Sequence, residues 1–286
     1  MTKKRITYKA SRLWAMLGQR FLCKRNLTLA VFLLFLMDIF LEPIKQFAEI
    51  SGCKVTQWIF PFLISDANFL MVYMAGVICF FSSAPFMERK ERYYLIRGGR
   101  QQWVSGQIGD IFASSFLMTC ISVVISWLPL IPMLEFRIGW GKVIFTMAKT
   151  NAGSLTGLFW KISYWYLNNH TPVEAMLTSI LIISLGSCFL GMLMMLIRLY
   201  LPKIYSVGIA SALVVYSSVV ANVGFPSEKS FFKVSPISWM RITRLGFTES
   251  GFRVAWPASV SIGVFAVLLL VIGIAGHCRI RKVDFN

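Results

Sequence analysis

Charged residues are scarce in this 286-residue chain, and acidic ones are the scarcest. Asp, Glu, Lys and Arg make up 14% of it, against about 25% in a soluble globular domain. Hydrophobic residues make up 57%, and the mean hydropathy is +0.67. These figures exclude a soluble domain, a disordered chain, a collagen-like repeat and a disulfide-stapled secreted module. The composition therefore predicts an all-α polytopic membrane protein.

The shortage of acid leaves 29 Lys and Arg against 12 Asp and Glu. A nucleic-acid-binding protein gathers its cations on a soluble face, whereas these cations lie in short clusters between apolar blocks. Loops at an anionic cytoplasmic leaflet have that arrangement. We therefore expect contact with membrane lipid at the cell membrane and no nucleic-acid partner.

Motifs for enzymatic chemistry are also missing. The sequence has no GxxxxGK[ST] phosphate-binding loop, no HExxH, no GxSxG and no CxxC, and it contains only two histidines. We therefore expect no catalytic residues, no metal site and no cofactor bound by this chain.

Six apolar blocks approach the 20 residues that a membrane-spanning helix needs. They are Leu27–Ile44, Ala67–Met87, Gln107–Ile131, Ala175–Leu199, Ile204–Gly224 and Ala258–Gly276. Residues 27–276 thus form a predicted six-span domain, followed by a basic tail at 277–286. In residues 1–26, apolar positions recur at helical steps among cations, which indicates an amphipathic interfacial helix. A basic tail that only enforces topology is the alternative.

Orientation follows from the Lys and Arg residues in alternate loops. The side that holds both termini has 18 of them, and the other side has 11 spread over longer loops. The positive-inside rule therefore places both termini in the cytoplasm.

Charged groups within the apolar blocks are few. Asp38 is the only acid well inside one, with Glu42 one turn further on. We expect Asp38 to form a hydrogen bond to another helix, and a role in a substrate or proton pathway is the alternative. A proton- or sodium-driven carrier would be expected to show more such groups. Their scarcity indicates that the energy for transport would come from another source.

The inner loop after the second block contains the strongest single signal. Its sequence predicts a helix over Glu88–Ile96 that Gly98-Gly99 ends, with an aromatic residue before the next span. Its aromatic residues are too apolar for a purely solvated loop, and together with its arginines they suit docking to a partner protein. The candidate docking residues are Glu88, Arg92, Tyr93, Arg97 and Trp103. A solvated connector that sets topology is the alternative.

The outer segment before the last block interleaves aromatic rings with arginines. We predict a short helix over Ser235–Gly246 at the outer leaflet, where Trp239, Arg241 and Arg244 help to close the exit of a pathway. A surface loop without a gating role is the alternative.

These features together resemble the bacterial ABC exporter permeases of the six-helix, second type. The resemblance rests on the basic N-terminal helix, the six spans, the inner loop Glu88–Gly98, the outer Ser235–Trp239 and the basic tail Arg281–Phe285.

The resemblance implies a dimer of permeases, either two copies or a copy with a sister chain. It also implies an ABC ATPase subunit beneath each permease, which would bind ATP and Mg. The inner loop would then be the coupling helix. The expected substrate is an amphipathic peptide, lipid or drug-like molecule. A non-transporting membrane sensor or immunity component is the alternative function.

Overall fold

The computed structural model describes residues 21, 23–85, 89–150, 152–222, 231–246 and 256–280, without the side chains of 89–100 and 154. Five of the described helices are long and apolar enough to span a membrane. They are α1 (Lys24–Ser51), α4 (Arg89–Trp127), α8 (Pro172–Arg198), α9 (Lys203–Asn222) and α10 (Ala258–Ile280). The protein is therefore an all-α, multi-pass membrane protein. Residues 1–20, which hold most of the predicted interfacial helix, and 281–286 lie outside the described residues.

The second apolar block forms a helix that begins at Ala67, as predicted, and a short helix precedes it. Helix α2 covers Phe60–Ser65, and α3 covers Ala67–Phe81. Between them Asp66 is extended, with ψ 135°, and its carboxylate accepts hydrogen bonds from the backbone N–H groups of Asn68 and Phe69. An N-cap of this kind starts a new helix. The predicted end at Met87 is wrong, because α3 stops at Phe81.

Helix α4 is 39 residues long and runs without interruption through Gly98-Gly99. The prediction that these glycines end a short cytoplasmic helix is therefore wrong. A glycine in a helix interior costs only about 1 kcal/mol relative to alanine, and the membrane span continues the same helix. At 1.5 Å per residue, α4 measures roughly 58 Å, about twice the 30 Å hydrocarbon core.

Helix α1 also extends beyond its predicted bounds. It has 28 residues and ends at Ser51. The next residue, Gly52, caps it with a left-handed φ of 62°, and its N–H bonds to the carbonyls of Ala48 and Glu49. Lys45, beyond the predicted end at Ile44, lies inside this helix together with Asp38 and Glu42. They are tolerated because they pair with each other along it.

Helix α8 lies at the centre of the bundle and packs against α3, α4, α9 and α10. Small residues allow this close approach: a Cβ at Gly191 would lie 2.9 Å from Ile111 of α4 and 3.2 Å from Phe81 of α3. At the same interface the hydroxyls of Ser114, Ser115 and Ser187 are buried and have no hydrogen-bond partner among the described residues. The α4–α8 interface is therefore narrow and lined by small polar side chains.

Short elements near the C-terminal end of α1 pack together in a layer that we call the outer layer. Strands β1 (Val55–Thr56) and β2 (Leu134–Glu135) pair in parallel. The short helices α5 (Lys142–Lys149), α6 (Ala152–Leu155) and α7 (Tyr164–Asn169) follow. Indole N–H groups of four tryptophans donate to backbone carbonyls and hold these segments together: Trp58 to Arg137, Trp127 to Gln57, Trp140 to His170 and Trp160 to Phe40.

Candidate functional site

The predicted docking residues fall at the start of α4. Glu88 lies outside the described residues. Arg92, Tyr93 and Arg97 lie on the first turns of α4, and the structure describes their backbone only. Trp103, in contrast, is 7% exposed and packs against Val104 and against Ile280 of α10. The structure thus gives Trp103 an intramolecular contact at the base of the projecting helix.

Further contacts fix this base of α4 to the end of α10. His277 donates from Nδ1 to the carbonyl of Gly273 at 2.9 Å, and its Nε2 lies 3.1 Å from Oγ of Ser105 on α4. Next to it, the guanidinium of Arg279 lies 4.5 Å from the ring centroid of Tyr200, in the hairpin between α8 and α9. This distance allows a cation–π contact. The start of α4 and the ends of α8 and α10 are therefore connected.

The outer segment is buried and does not lie on the leaflet as a helix. It consists of two 3-10 turns, Ser238–Met240 and Ile242–Arg244. Trp239 is 5% exposed, and its indole N–H donates to the carbonyl of Phe232 at 2.8 Å. Its ring lies 5.5 Å from that of Phe265 on α10. The prediction of a single helix over Ser235–Gly246 is therefore wrong, and Trp239 packs against α10.

Arg241 places a buried cation at the junction between α2 and α3. It is 6% exposed, and its Nε donates to the carbonyl of Ser65 at 2.8 Å. The Ser65 hydroxyl accepts from the backbone N–H of Thr243 at 3.3 Å. Ser65 ends α2, where carbonyl groups lack intrahelical partners and the helix dipole favours a cation. Arg244 lies at the end of the segment and is half-buried.

Gly186 fixes the position of the same segment against α8. A Cβ at Gly186 would lie 1.7 Å from Cε of Met240 and 2.6 Å from its Sδ. Met240 is fully buried, so this position accepts only glycine unless the methionine moves. Sequence reasoning did not identify Gly186, although an isolated glycine within an apolar helix is a signal for close packing.

Asp38 forms an ion pair with Lys45 on its own helix, and the ammonium of Lys45 also lies 3.1 Å from Glu42. The expectation that Asp38 bonds to another helix is therefore wrong. Its side chain is 49% exposed, whereas that of Lys45 is 19% exposed. Lys45 was missed as the partner, and its signal was the spacing of seven residues, which places both groups on one face of α1.

A cavity of about 510 Å³ opens in the outer layer between α5, α6 and α7. Its lining includes Trp160, Lys161, Trp165 and Asn168. Close to it, burial raises the pKa of the Tyr166 phenol above its usual range, and the charge of Glu174 raises it further. The lining of the cavity thus combines aromatic rings with the ammonium group of Lys161.

The geometry defines a multi-pass helical membrane protein with a long helix projecting at one end and a buried, arginine-bearing segment near the other. No protein-family model, no curated protein and no solved structure matches this chain. The functional assignment therefore depends on the sequence and the geometry.

Proposed function

We propose that this chain is the membrane-spanning subunit of an ATP-driven exporter of the ABC type, with ATP hydrolysis on a separate subunit. The observation that carries the proposal is the continuity of α4. One helix joins five cations and two tyrosines at 89–100 directly to an apolar span packed against the central helix. A push on the projecting end would move the span, because no loop intervenes to absorb it.

In this proposal the chain crosses the cell membrane six times, with both termini in the cytoplasm. The broken pair α2 and α3 supplies the crossing that the five long helices do not provide. Breaks of this kind are tolerated at membrane depth when protein covers the freed backbone groups, and Arg241 covers the carbonyl of Ser65 in this way. The interfacial helix predicted over residues 1–26 would end before Lys24, where α1 begins.

On the cytoplasmic side, Glu88, Arg92, Tyr93 and Arg97 would contact the ATPase, which would bind ATP and Mg. Aromatic and arginine side chains usually contribute most of the energy of such contacts. Trp103 would not touch the partner. It would instead transmit the motion, because it fixes the base of α4 to α10.

Transport would then follow from a shift of α4 along α8. The small polar interface between them suits two alternative packings better than an interlocked interface of large side chains would. Trp239, Arg241 and Arg244 would close the outer end of the pathway, since their segment contacts α2, α8 and α9 together. The partners would be a second permease copy or a sister chain, and the substrate would be an amphipathic peptide, lipid or drug-like molecule.

The test is copurification of the full chain from its native membranes, followed by ATP hydrolysis measurements on the complex in nanodiscs. We expect an ATPase subunit in the complex. We expect Tyr93→Ala to reduce substrate-stimulated hydrolysis roughly tenfold while the chain stays folded, because hot-spot aromatics contribute about 2 kcal/mol or more. Lys149→Ala, which removes an exposed cation of the outer layer, is the matched control.

Two outcomes would contradict the proposal. A complex that contains a kinase or regulator and no ATPase would favour the sensor or immunity component. Transport by the isolated chain, driven by an ion gradient without ATP, would favour a secondary carrier.

A further inference from the structure

An apolar groove runs along the inner half of the bundle between α1, α3 and α4. Its walls are aliphatic and aromatic side chains, among them Leu33 of α1 and Ile121 of α4. Its enclosed volume is only about 60 Å³, so an occupant would fill it in part and otherwise lie along its open side. At Gly76 of α3 it is open, since a Cβ there would meet no atom within 4 Å. The shape suits a single flexible hydrocarbon chain better than a compact ring system.

A cation lies at one end of this groove. The rings of Phe21 and Phe80 close that end with their centroids 5.3 Å apart. Beside them, Nη2 of Arg25 donates to the carbonyl of Phe80 at 3.2 Å and to the Ser83 hydroxyl at 3.3 Å, and Nη1 donates to the Ser82 hydroxyl at 3.4 Å. These bonds are long for a guanidinium group, so its donors are weakly engaged.

The charge of Arg25 is not neutralised within the described part of the chain. No carboxylate among the described residues pairs with it, and the exposed Lys24 adds a second cation next to it. The Ser83 hydroxyl accepts from Arg25, which leaves its own proton available to another acceptor. The end of the groove therefore offers cationic and hydroxyl donors that would suit a phosphate.

We propose that this groove binds an anionic phospholipid, with one acyl chain along α1, α3 and α4 and the phosphate on Arg25, Ser83 and Lys24. The groove supplies an apolar slot and the cations supply the complementary charge, so both halves of an anionic lipid have a partner. Under the proposed orientation this lipid comes from the inner leaflet. The site is independent of the proposed transport function, because lipid retention does not require an ATPase.

The test measures lipid retained by the full-length chain in native mass spectrometry, after equilibration in mixed micelles with equal amounts of phosphatidylglycerol and phosphatidylcholine of the same acyl composition. We expect one phosphatidylglycerol to be retained in preference to phosphatidylcholine. Gly76→Leu fills the slot and should reduce retention on the order of tenfold, since several buried methylenes lose their contacts. The matched control Gly208→Leu adds the same side chain on α9, where a Cβ also meets nothing within 4 Å.

Arg25→Gln tests the headgroup contact separately from the contact of the tail. It should leave a lipid bound but lower the preference for phosphatidylglycerol about fivefold, as expected for one cation near a headgroup. Glycerol phosphate, which has the headgroup charge and no tail, should not displace the lipid.

Equal retention by Gly76→Leu and Gly208→Leu would overturn the proposal, and so would equal retention of the two lipids by the unaltered chain. A photocrosslinker at Gly76 provides the last check. Crosslinks to residues 1–20 instead of lipid would show that the chain's own N-terminal segment fills the groove, and would also overturn it.

Discussion

Replacing Gly186 by alanine tests whether the buried segment Ser235–Gly246 packs closely against the central helix α8. The new Cβ would lie 1.7 Å from Cε of Met240, a side chain with no exposed surface into which to move. Overpacking of a core costs about 1–3 kcal/mol. The better helix propensity of alanine returns up to about 1 kcal/mol. We expect a net loss of about 1–2 kcal/mol.

The assay is the apparent Tm of the detergent-solubilised chain, followed by size-exclusion chromatography at one fixed heating rate. A loss of 1–2 kcal/mol corresponds to a decrease of roughly 3–6 °C for a protein of this size. Gly208→Ala is the matched control, since a Cβ there meets no atom within 4 Å, and its Tm should stay equal or rise slightly.

A double-mutant cycle isolates the contact. Met240→Ala removes the clashing atoms, at its own cost in burial, and in that background Gly186→Ala should lower the Tm no further. If Gly186→Ala is as stable as Gly208→Ala in the unaltered chain, the segment does not pack against α8 as described. If the loss persists unchanged in the Met240→Ala background, it arises from another neighbour.

Three further predictions follow from the same structure. Trp103→Ala should lower the apparent Tm by about 10 °C, because truncating a buried tryptophan costs about 3–5 kcal/mol. Tyr93→Ala should leave the Tm unchanged. Equal Tm values for Trp103→Ala and the unaltered chain would refute the packing role of Trp103. Lys45→Met leaves two carboxylates of α1 without their cation and should lower the Tm by roughly 2–4 °C, which corresponds to about 1 kcal/mol. Lys54→Met, which replaces an exposed lysine outside α1, should leave the Tm unchanged. Equal Tm values for the two variants would show that the ion pair contributes nothing to stability. A cysteine at Asn286 in a cysteine-free chain should resist an impermeant thiol reagent in intact cells, and its labelling would refute the cytoplasmic terminus.

Hydropathy predicted the later spans well, because a long apolar run with helical termini has few alternatives in lipid. Helices Pro172–Arg198, Lys203–Asn222 and Ala258–Ile280 lie within about a turn of their predicted bounds. The same reasoning failed at Gly98-Gly99, where a local helix-ending signal competes with a continuing span. It also missed α2, a six-residue helix that Asp66 separates from the block predicted to begin at Ala67.

The candidate site was harder to predict, because its contacts are distant in sequence. Arg241 was placed on a surface, yet its partner Ser65 lies 176 residues earlier in the chain, and no local pattern links them. The packing of small residues is hard to predict for a similar reason. Ser187 and Gly191 do face a close helix contact, whereas Ser259 and Gly263 are exposed, and the sequence alone does not say which face of a helix meets a neighbour.

The bond from Arg241 to Ser65 also has a consequence for biogenesis. Helix α2 is complete when the ribosome has made the first quarter of the chain, but its last carbonyl gains its guanidinium partner only after residue 241 has been synthesised. Until then the break between α2 and α3 holds an unpaired backbone acceptor, which is costly in hydrocarbon. The junction between α2 and α3 therefore completes its folding late, and chains truncated before residue 241 should be recognised by membrane quality control as unfinished.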